Sequence, residues 1–343
     1  MKKKVLAVLL CAAMVMSMTA CGNSSTEEPA ETADTTEAAD DSTEAADESS
    51  DAAAAGGDFK IGLVTDEGGV NDGSFNQSAW EGLQRAAEEL GVEANYLESS
   101  TDADYTPNLE TFIDEEYDLI ISVGYMLADA TKAAAEANPD VKFAIIDDAT
   151  IELDNVTCLM FEQEQGSYLV GYVAGMMTET DNVGFVIGMS NENMNLFGYG
   201  YCAGVLDANP DATIQQFNVN SFADSATGKS MANTAITNGA DIVFHAAGAS
   251  GLGVIEACQE AGVYAIGVDS DQSSIAPETV ITSAMKRVDN AVYDSVEALI
   301  NGTLEGGVVT YDLSMGGVDI APPQDLLPEE VISAVEDVKQ QII

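Results

Sequence analysis

Positive charge is scarce in this chain. Eleven Lys and Arg residues stand against 59 Asp and Glu residues, which gives a formal net charge of −48. Nucleic-acid binding depends on cations that neutralise phosphates, and docking on an anionic membrane surface depends on a basic patch. The composition therefore argues against both, and we expect no nucleic-acid partner.

Histidine and arginine are rarer still. His245 is the single histidine, and Arg85 and Arg287 are the two arginines. One histidine weakens metal sites and histidine-based triads as hypotheses. His245 is predicted to be structural, because it ends a buried-looking strand. We expect no metal and no cofactor.

The apolar run near the start of the chain is short. Residues 5–16 form 12 mostly apolar positions after the cationic start Met1–Lys4, whereas a membrane-spanning helix needs about 20. The pattern is typical of a secretory signal with a small-residue cleavage site. Cys21 follows Thr19 and Ala20 and resembles the cysteine of a bacterial lipobox, with Met18 at its leucine position.

Residues 1–20 are therefore predicted to be a lipoprotein signal peptide. Lipid on Cys21 would anchor the mature chain to the extracytoplasmic face of the cell membrane. The alternative is a plain secretory signal with an incidental cysteine. Residues 22–58 contain 12 acidic residues and no Lys, Arg or aromatic residue, so we expect 21–58 to be a lipid-anchored, disordered acidic linker.

The remaining cysteines do not suggest a disulfide framework. Cys158, Cys202 and Cys258 are odd in number and lack CxxC spacing. They are expected to be small buried residues.

From residue 59 onward, apolar strands alternate with helical stretches. Continuous apolar strands between helices predict an α/β fold, in which parallel sheets are covered on both faces. A helix is predicted over 75–90, with Gly91 as its end and a capping box between Ser74 and Gln77 as its start.

Ligands of open parallel sheets bind beyond the carboxyl ends of the strands. The residues that follow the predicted strands include acids, amides, glycines and two phenylalanines, but no Arg, Lys or Cys. The ranges are 66–75, 124–129, 147–148, 189–197, 247–253 and 269–272. Acids with aromatic rings suit a neutral polyol with a flat ring, or a cation, better than a phosphate ligand.

A series of motifs resembles one known family. Residues 65–82 read TDEGGVNDGSFNQSAWEG, and further matches are FAIID at 143–147, AAG at 246–248, GVDSDQ at 267–272, MKRVD at 285–289 and GGV at 316–318. These motifs resemble the basic membrane protein (BMP, PnrA-like) family of purine-nucleoside-binding lipoproteins, and the likeness covers essentially all of 59–343.

This resemblance implies a two-lobed type I periplasmic-binding-protein fold, in which each lobe has a parallel sheet and a ligand binds in the cleft. It implies a substrate-binding lipoprotein that delivers its ligand to the permease of an ABC importer. We expect residues 59–160 and about 286–312 in lobe 1, and residues 161–285 and about 313–343 in lobe 2.

The resemblance also implies the ligand contacts. Phe75 and Phe197 would sandwich the base. Asp66 and Asn76 would read its edge, and Asp129 and Asp269 would accept ribose hydroxyls. Lys286 would donate to the sugar or pair with one of these acids, and Gly248 would offer backbone N–H groups.

Several functions stay open at this point. The leading hypothesis is a nucleoside-binding protein that is not an enzyme. The same fold could instead bind another flat-ring ligand such as riboflavin, and the acids could bind a polyamine. A secreted nucleoside hydrolase would need clustered Asp ligands around calcium. A surface protein used for adhesion or as an antigen would have no working pocket.

Overall fold

The structure is a computed structural model that describes residue 57 and residues 59–322 and 325–343. The predicted signal peptide, Cys21 and the linker up to Asp58 lie outside the described residues, apart from Gly57. Within the described part, no helix is both long enough and apolar enough to cross a membrane.

The described chain alternates strands and helices. The strands are β1 Lys60–Val64, β2 Glu93–Leu97, β3 Leu119–Ser122, β4 Lys142–Ile146, β5 Val156–Phe161, β6 Asn182–Ile187, β7 Thr213–Asn218, β8 Ile242–Ala246, β9 Tyr264–Asp269, β10 Val280–Lys286, β11 Gly307–Tyr311 and β12 Val318–Ile320. The helices are α1 Phe75–Leu90, α2 Tyr105–Asp114, α3 Ala128–Ala137, α4 Gln163–Met177, α5 Glu192–Ala208, α6 Ser225–Thr237, α7 Ser250–Ala261, α8 Val288–Ile300 and α9 Glu329–Ile342.

The strands form two six-stranded sheets of matching order. Sheet 1 runs β11-β5-β4-β3-β1-β2 and sheet 2 runs β12-β10-β9-β8-β6-β7. Every pair in sheet 1 is parallel, and in sheet 2 only the pairing of β12 with β10 is antiparallel. The central strands are apolar and buried, as parallel strands covered by helices require. The predicted α/β class is confirmed.

Each sheet carries its own helices, and we call each assembly a lobe. The first lobe comprises sheet 1 with α1–α3 and α8, and the second comprises sheet 2 with α4–α7 and α9. The chain passes between the lobes after β5, β10 and β11. The exact residue boundaries given above stay a prediction.

Close helix packing places one wall of the cleft. A side chain at Gly200 or Gly204 of α5 would collide with the backbone of Glu164 or Tyr168 of α4. Glycine at these positions lets the two helix backbones approach each other. This contact fixes α5, which carries Phe197, against α4 within the second lobe.

Candidate functional site

A cavity lies where the carboxyl ends of the two sheets face each other. The residues that line it come from both lobes: Asp66, Asp72, Phe75, Asn76, Gly124, Tyr125, Asp147, Met194, Phe197, Phe222, Ala246, Ala247, Gly248, Val268, Asp269 and Lys286.

Most of the residues singled out from the sequence line this one cavity. They are Asp66, Phe75, Asn76, Phe197, Gly248, Asp269 and Lys286. Their individual roles toward a ligand stay predictions. Asp129 is different, because it is an exposed residue in the first turn of α3 and is not part of the lining.

The loop before α1 differs from the sequence-based expectation. The Ser74 side chain makes no capping bond, so the predicted capping box with Gln77 is wrong. Asp72 caps the helix instead, because its carboxylate accepts from the backbone N–H groups of Asn76 at 2.9 Å and Gln77 at 3.0 Å. Ser74 is thereby released to donate to Asp269 across the cleft.

Asp66, Asp72 and Asn76 form one buried network. The Nδ2 atom of Asn76 donates to Oδ1 of Asp66 at 2.7 Å and to Oδ2 of Asp72 at 3.0 Å. Oδ1 of Asp66 also accepts from the backbone N–H of Gly68 at 3.0 Å. Burial raises the pKa of Asp66 to about 6, because removal from water disfavours the charged form.

Asp147 and Lys286 form a buried ion pair between the lobes. Nζ of Lys286 lies 2.6 Å from Oδ1 and 2.5 Å from Oδ2 of Asp147. The two side chains are only 2% and 5% exposed. Lys286 therefore pairs with an acid that the resemblance had not put forward. Because Asp147 already balances its charge, Lys286 attracts an anionic ligand only weakly.

Asp269 holds the corresponding place in the second lobe without an ion pair. Its Oδ2 atom accepts from the hydroxyl of Ser74 in the first lobe. Burial raises its pKa to about 7, against the opposing effects of Lys286 and the Ser74 bond. Its Oδ1 atom accepts no hydrogen bond within the described residues.

Aromatic rings cover the cavity from both lobes. Nζ of Lys286 lies 5.0 Å from the ring centroid of Phe75 and 5.6 Å from that of Phe197. Tyr125 and Phe222 meet edge to face, with their ring centroids 6.5 Å apart. The flat faces of aromatic side chains suit stacking on a planar ring.

Hydrogen bonds between the lobes surround the cavity. Oε1 of Glu67 accepts from the backbone N–H of Phe222 at 3.0 Å and from the hydroxyl of Ser221 at 3.1 Å. Nε2 of Gln272 donates to the backbone carbonyl of Gly73 at 2.8 Å. These bonds hold the two lobes together around the cavity.

Sequence reasoning missed several lining residues. Asp147, Tyr125 and Met194 lie in strand-end segments that it had marked, but nothing local distinguished them. Phe222 follows β7, whose end was not among the marked segments. His245, by contrast, is buried as expected, with Nε2 2.9 Å from Oε1 of Gln272. The three cysteines Cys158, Cys202 and Cys258 are free thiols.

The polar lining consists mainly of acceptors. Asp66, Asp269 and Asn76 each have an oxygen without a partner in the described chain. The lining cation, Lys286, is matched by Asp147. Within residues 59–322 and 325–343, no group of three His, Cys, Asp or Glu side chains is arranged to hold a metal ion.

Known proteins share both the sequence and the fold. The sequence profile of the Bmp family, described as ABC transporter substrate-binding protein PnrA-like, matches residues 59–343. The CD4+ T-cell-stimulating antigen of Listeria monocytogenes is 40% identical over 308 residues, covering 83% of this chain and 86% of its own. The ABC transporter nucleoside-binding protein BmpA of Lactococcus lactis is 35% identical over 308 residues, covering 83% and 87%.

A solved structure confirms the predicted two-lobed type I architecture. The ABC transporter solute-binding protein of Aeropyrum pernix K1 superposes with a TM-score of 0.74 and 29% identity, over 83% of this chain and 87% of its own. Fold, cleft and motifs agree with one another. The chain belongs to the Bmp family of PnrA-like ABC transporter substrate-binding proteins.

Proposed function

We propose that this protein captures nucleosides, principally purine nucleosides, between its lobes by hinge closure and delivers them to an ABC importer. It performs no chemistry on them. Lipid on Cys21 holds it at the extracytoplasmic face of the membrane. The Lactococcus relative named as a nucleoside-binding protein supports this ligand class.

The observation that carries the proposal is the pairing of aromatic walls with acceptor oxygens. A nucleoside offers a flat base and several O–H and N–H donors, and carboxylate and amide oxygens accept from such donors. A nucleotide would bring a phosphate to a cavity whose lining cation is already paired. Phosphate recognition usually relies on arginine, and neither Arg85 nor Arg287 lines the cavity.

Thermal unfolding of the purified protein against a ligand panel tests the proposal. The panel contains nucleosides, free bases, nucleotides, riboflavin and spermidine. A denaturing step first removes any ligand carried through purification. A ligand at about 100 times its Kd adds roughly 2.7 kcal/mol to the unfolding free energy.

Stabilisation by nucleosides is the expected result. Stabilisation by riboflavin or spermidine alone would mean that the ligand is not a nucleoside but belongs to the class of the stabilising compound. A flat response would contradict capture of small molecules and favour a role in adhesion or as an antigen. Release of free base from inosine would indicate a hydrolase.

The predicted roles of the acids are tested separately. Asp269→Ala is expected to weaken nucleoside binding much more than free-base binding, because it removes an acceptor for ribose. Equal losses would contradict a contact between Asp269 and the ribose.

The lipid anchor is tested by another variant. Cys21→Ser is expected to abolish incorporation of labelled fatty acid and release the protein from membranes.

A further inference from the structure

Gln272 is a buried residue of the second lobe that does not line the cavity. It ends the GVDSDQ motif at 267–272. Its backbone N–H donates to Oγ of Ser283 on β10 at 3.1 Å. A Cβ atom on Gly267 of β9 would lie 2.5 Å from Oε1 of Gln272, so glycine at that position leaves room for the amide. The residues of β9 and β10 therefore hold Gln272 within its own lobe.

The orientation of the Gln272 amide follows from two bonds whose backbone partners have fixed roles. Oε1 accepts from the backbone N–H of Val268 at 2.9 Å, and Nε2 donates to the backbone carbonyl of Gly73 at 2.8 Å. A flipped amide would place its NH₂ group against the N–H of Val268 and its oxygen against the carbonyl of Gly73. Both bonds would then be lost, so Nε2 faces the first lobe.

His245 of β8 supports the same orientation. Its Nε2 atom lies 2.9 Å from Oε1 of Gln272, which is an acceptor in this orientation, so the ring nitrogen donates. Burial lowers the pKa of His245 to about 4, so the ring is neutral near pH 7 and carries a single N–H. Nδ1 is left without a proton, and it is buried without a hydrogen-bond partner in the described chain. The contact therefore requires one tautomer of His245.

Gly73 of the first lobe meets the second lobe beside this amide. A Cβ atom on Gly73 would lie 3.2 Å from Cδ2 of Leu252 and 3.9 Å from Cδ1 of Ile275. The partners that orient the Gln272 amide, Val268 and His245, both belong to the second lobe. The donor is therefore in position before the lobes meet, and closure needs little additional ordering of this side chain.

We propose, building on the function proposed above, that the bond from Gln272 to Gly73, which we call the clasp, stabilises the closed protein equally for every ligand, and that His245 is its positioning residue. Gln272 lies outside the cavity lining, so the clasp does not distinguish one ligand from another. A ligand held between closed lobes leaves when they separate, and separation breaks the clasp. A shift toward the open form weakens the apparent affinity for all ligands by one common factor.

The variant Gln272→Glu changes one atom of the clasp. Its Oε1 would keep the bonds from Val268 and His245, and the second carboxylate oxygen would face the carbonyl of Gly73 without a proton to donate. We expect guanosine, inosine and adenosine each to bind about 10-fold to 100-fold more weakly at pH 8, because a buried acceptor is left without a donor. Isothermal titration measures the three affinities. An unchanged affinity, or a loss confined to one nucleoside, would overturn the clasp.

Gln259→Glu is the matched control, because it makes the same change at an exposed residue of α7 in the same lobe. We expect its affinities to change no more than about twofold. Stopped-flow displacement should show that the loss in Gln272→Glu lies mainly in faster dissociation. The Tm of both ligand-free variants should stay within about 4 °C of the wild type. A larger fall in Gln272→Glu alone would attribute its weaker binding to damage within the second lobe and contradict the clasp.

The tautomer of His245 tests the clasp without a variant or a ligand. His245 is the single histidine of the chain, so protein labelled with ¹⁵N-histidine and purified without a histidine tag gives NMR signals from one imidazole ring. We expect a proton on Nε2 and none on Nδ1 between pH 6 and pH 8. A proton on Nδ1 would make Nε2 an acceptor, and Gln272 would then turn its oxygen toward the carbonyl of Gly73. That tautomer would overturn the clasp even if nucleosides bind, whereas the expected tautomer without nucleoside binding would support the clasp geometry and contradict the proposed function.

Discussion

Asp147 and Asp269 occupy corresponding places in the two lobes, one after β4 and the other at the end of β9. The two strands hold the same position in sheets of matching order. Both residues have left-handed backbones, with φ of 67° and 65°, which is uncommon for a residue other than glycine. Both are buried in the same cavity.

Their partners are what differ. Asp147 of the first lobe is paired with Lys286 of the second, whereas Asp269 of the second lobe receives only the Ser74 hydroxyl of the first. The repeated fold places a carboxylate at the mouth of each lobe. Lys286 forms an ion pair with one of these carboxylates, Asp147, and so joins the lobes. The other carboxylate, Asp269, is left available to a ligand.

Lys286→Met should produce the largest effect, because it removes this asymmetry. It leaves the buried Asp147 carboxylate unpaired, and breaking such a pair costs about 3–5 kcal/mol. Urea unfolding at pH 7.5 measures the loss of unfolding free energy.

Two further variants test whether that loss of stability comes from the unpaired carboxylate. Lys339→Met breaks a more exposed pair, whose side chains are 20% and 34% exposed, and should cost at most about 1 kcal/mol. Adding Asp147→Asn to Lys286→Met should recover part of the stability. A double variant no more stable than Lys286→Met would show that the loss does not come from the unpaired carboxylate.

Phe75 and Phe197 allow the two lobes to be compared in packing as well as in charge. Phe75 is half-buried, whereas Phe197 is only 3% exposed and is part of the core. Phe75→Ala should weaken nucleoside binding at least tenfold through lost stacking, worth about 1–3 kcal/mol, with a smaller effect on folding. Phe197→Ala should also lower the unfolding free energy by about 3–5 kcal/mol. Titration and urea unfolding of both variants separate the two effects, and unchanged affinity in Phe75→Ala would remove the stacking role.

Asp269 should make stability depend on pH. Its folded pKa is about 7, against about 3.9 in an unfolded chain. Between these values the folded state binds a proton that the unfolded state does not. The unfolding free energy therefore falls as pH rises from 4 to 7, by up to about 1.4 kcal/mol per pH unit, and the loss is complete above pH 7.

Asp269→Asn, which does not titrate, isolates this contribution. The difference in unfolding free energy between wild type and variant should change between pH 4 and pH 7 and then level off. The large negative charge of the chain affects both proteins and cancels in this difference. A difference that stays constant with pH would mean that Asp269 is ionised throughout.

Local pattern was enough to predict most of the framework. Helix α1 begins at Phe75 and ends before Gly91, whose left-handed conformation with φ of 76° stops it. The short strand β12 has only three residues, which carry too little periodicity to predict a strand from the sequence.

The site was harder to predict, because its partners are set by tertiary contacts. Lys286 and Asp147 are 139 residues apart, and nothing in the sequence favours that acid among the others. Ser74 has a local capping pattern, yet Asp72 caps the helix and Asp269 takes the Ser74 hydroxyl.

The smallest effect is expected at Asp129, where the resemblance and the structure lead to different expectations. Asp129→Asn changes an exposed residue outside the cavity lining, and such substitutions stay within about 0.5 kcal/mol. Nucleoside affinity should therefore change no more than about twofold. Asp147→Asn makes the same chemical change inside the cavity and leaves Lys286 without its counter-charge, so it should weaken binding at least tenfold. Isothermal titration of the two variants at pH 7.5 compares them directly. A large loss at Asp129 with none at Asp147 would mean that the ligand contacts the start of α3, and that the cross-lobe ion pair holds the lobes without shaping the site.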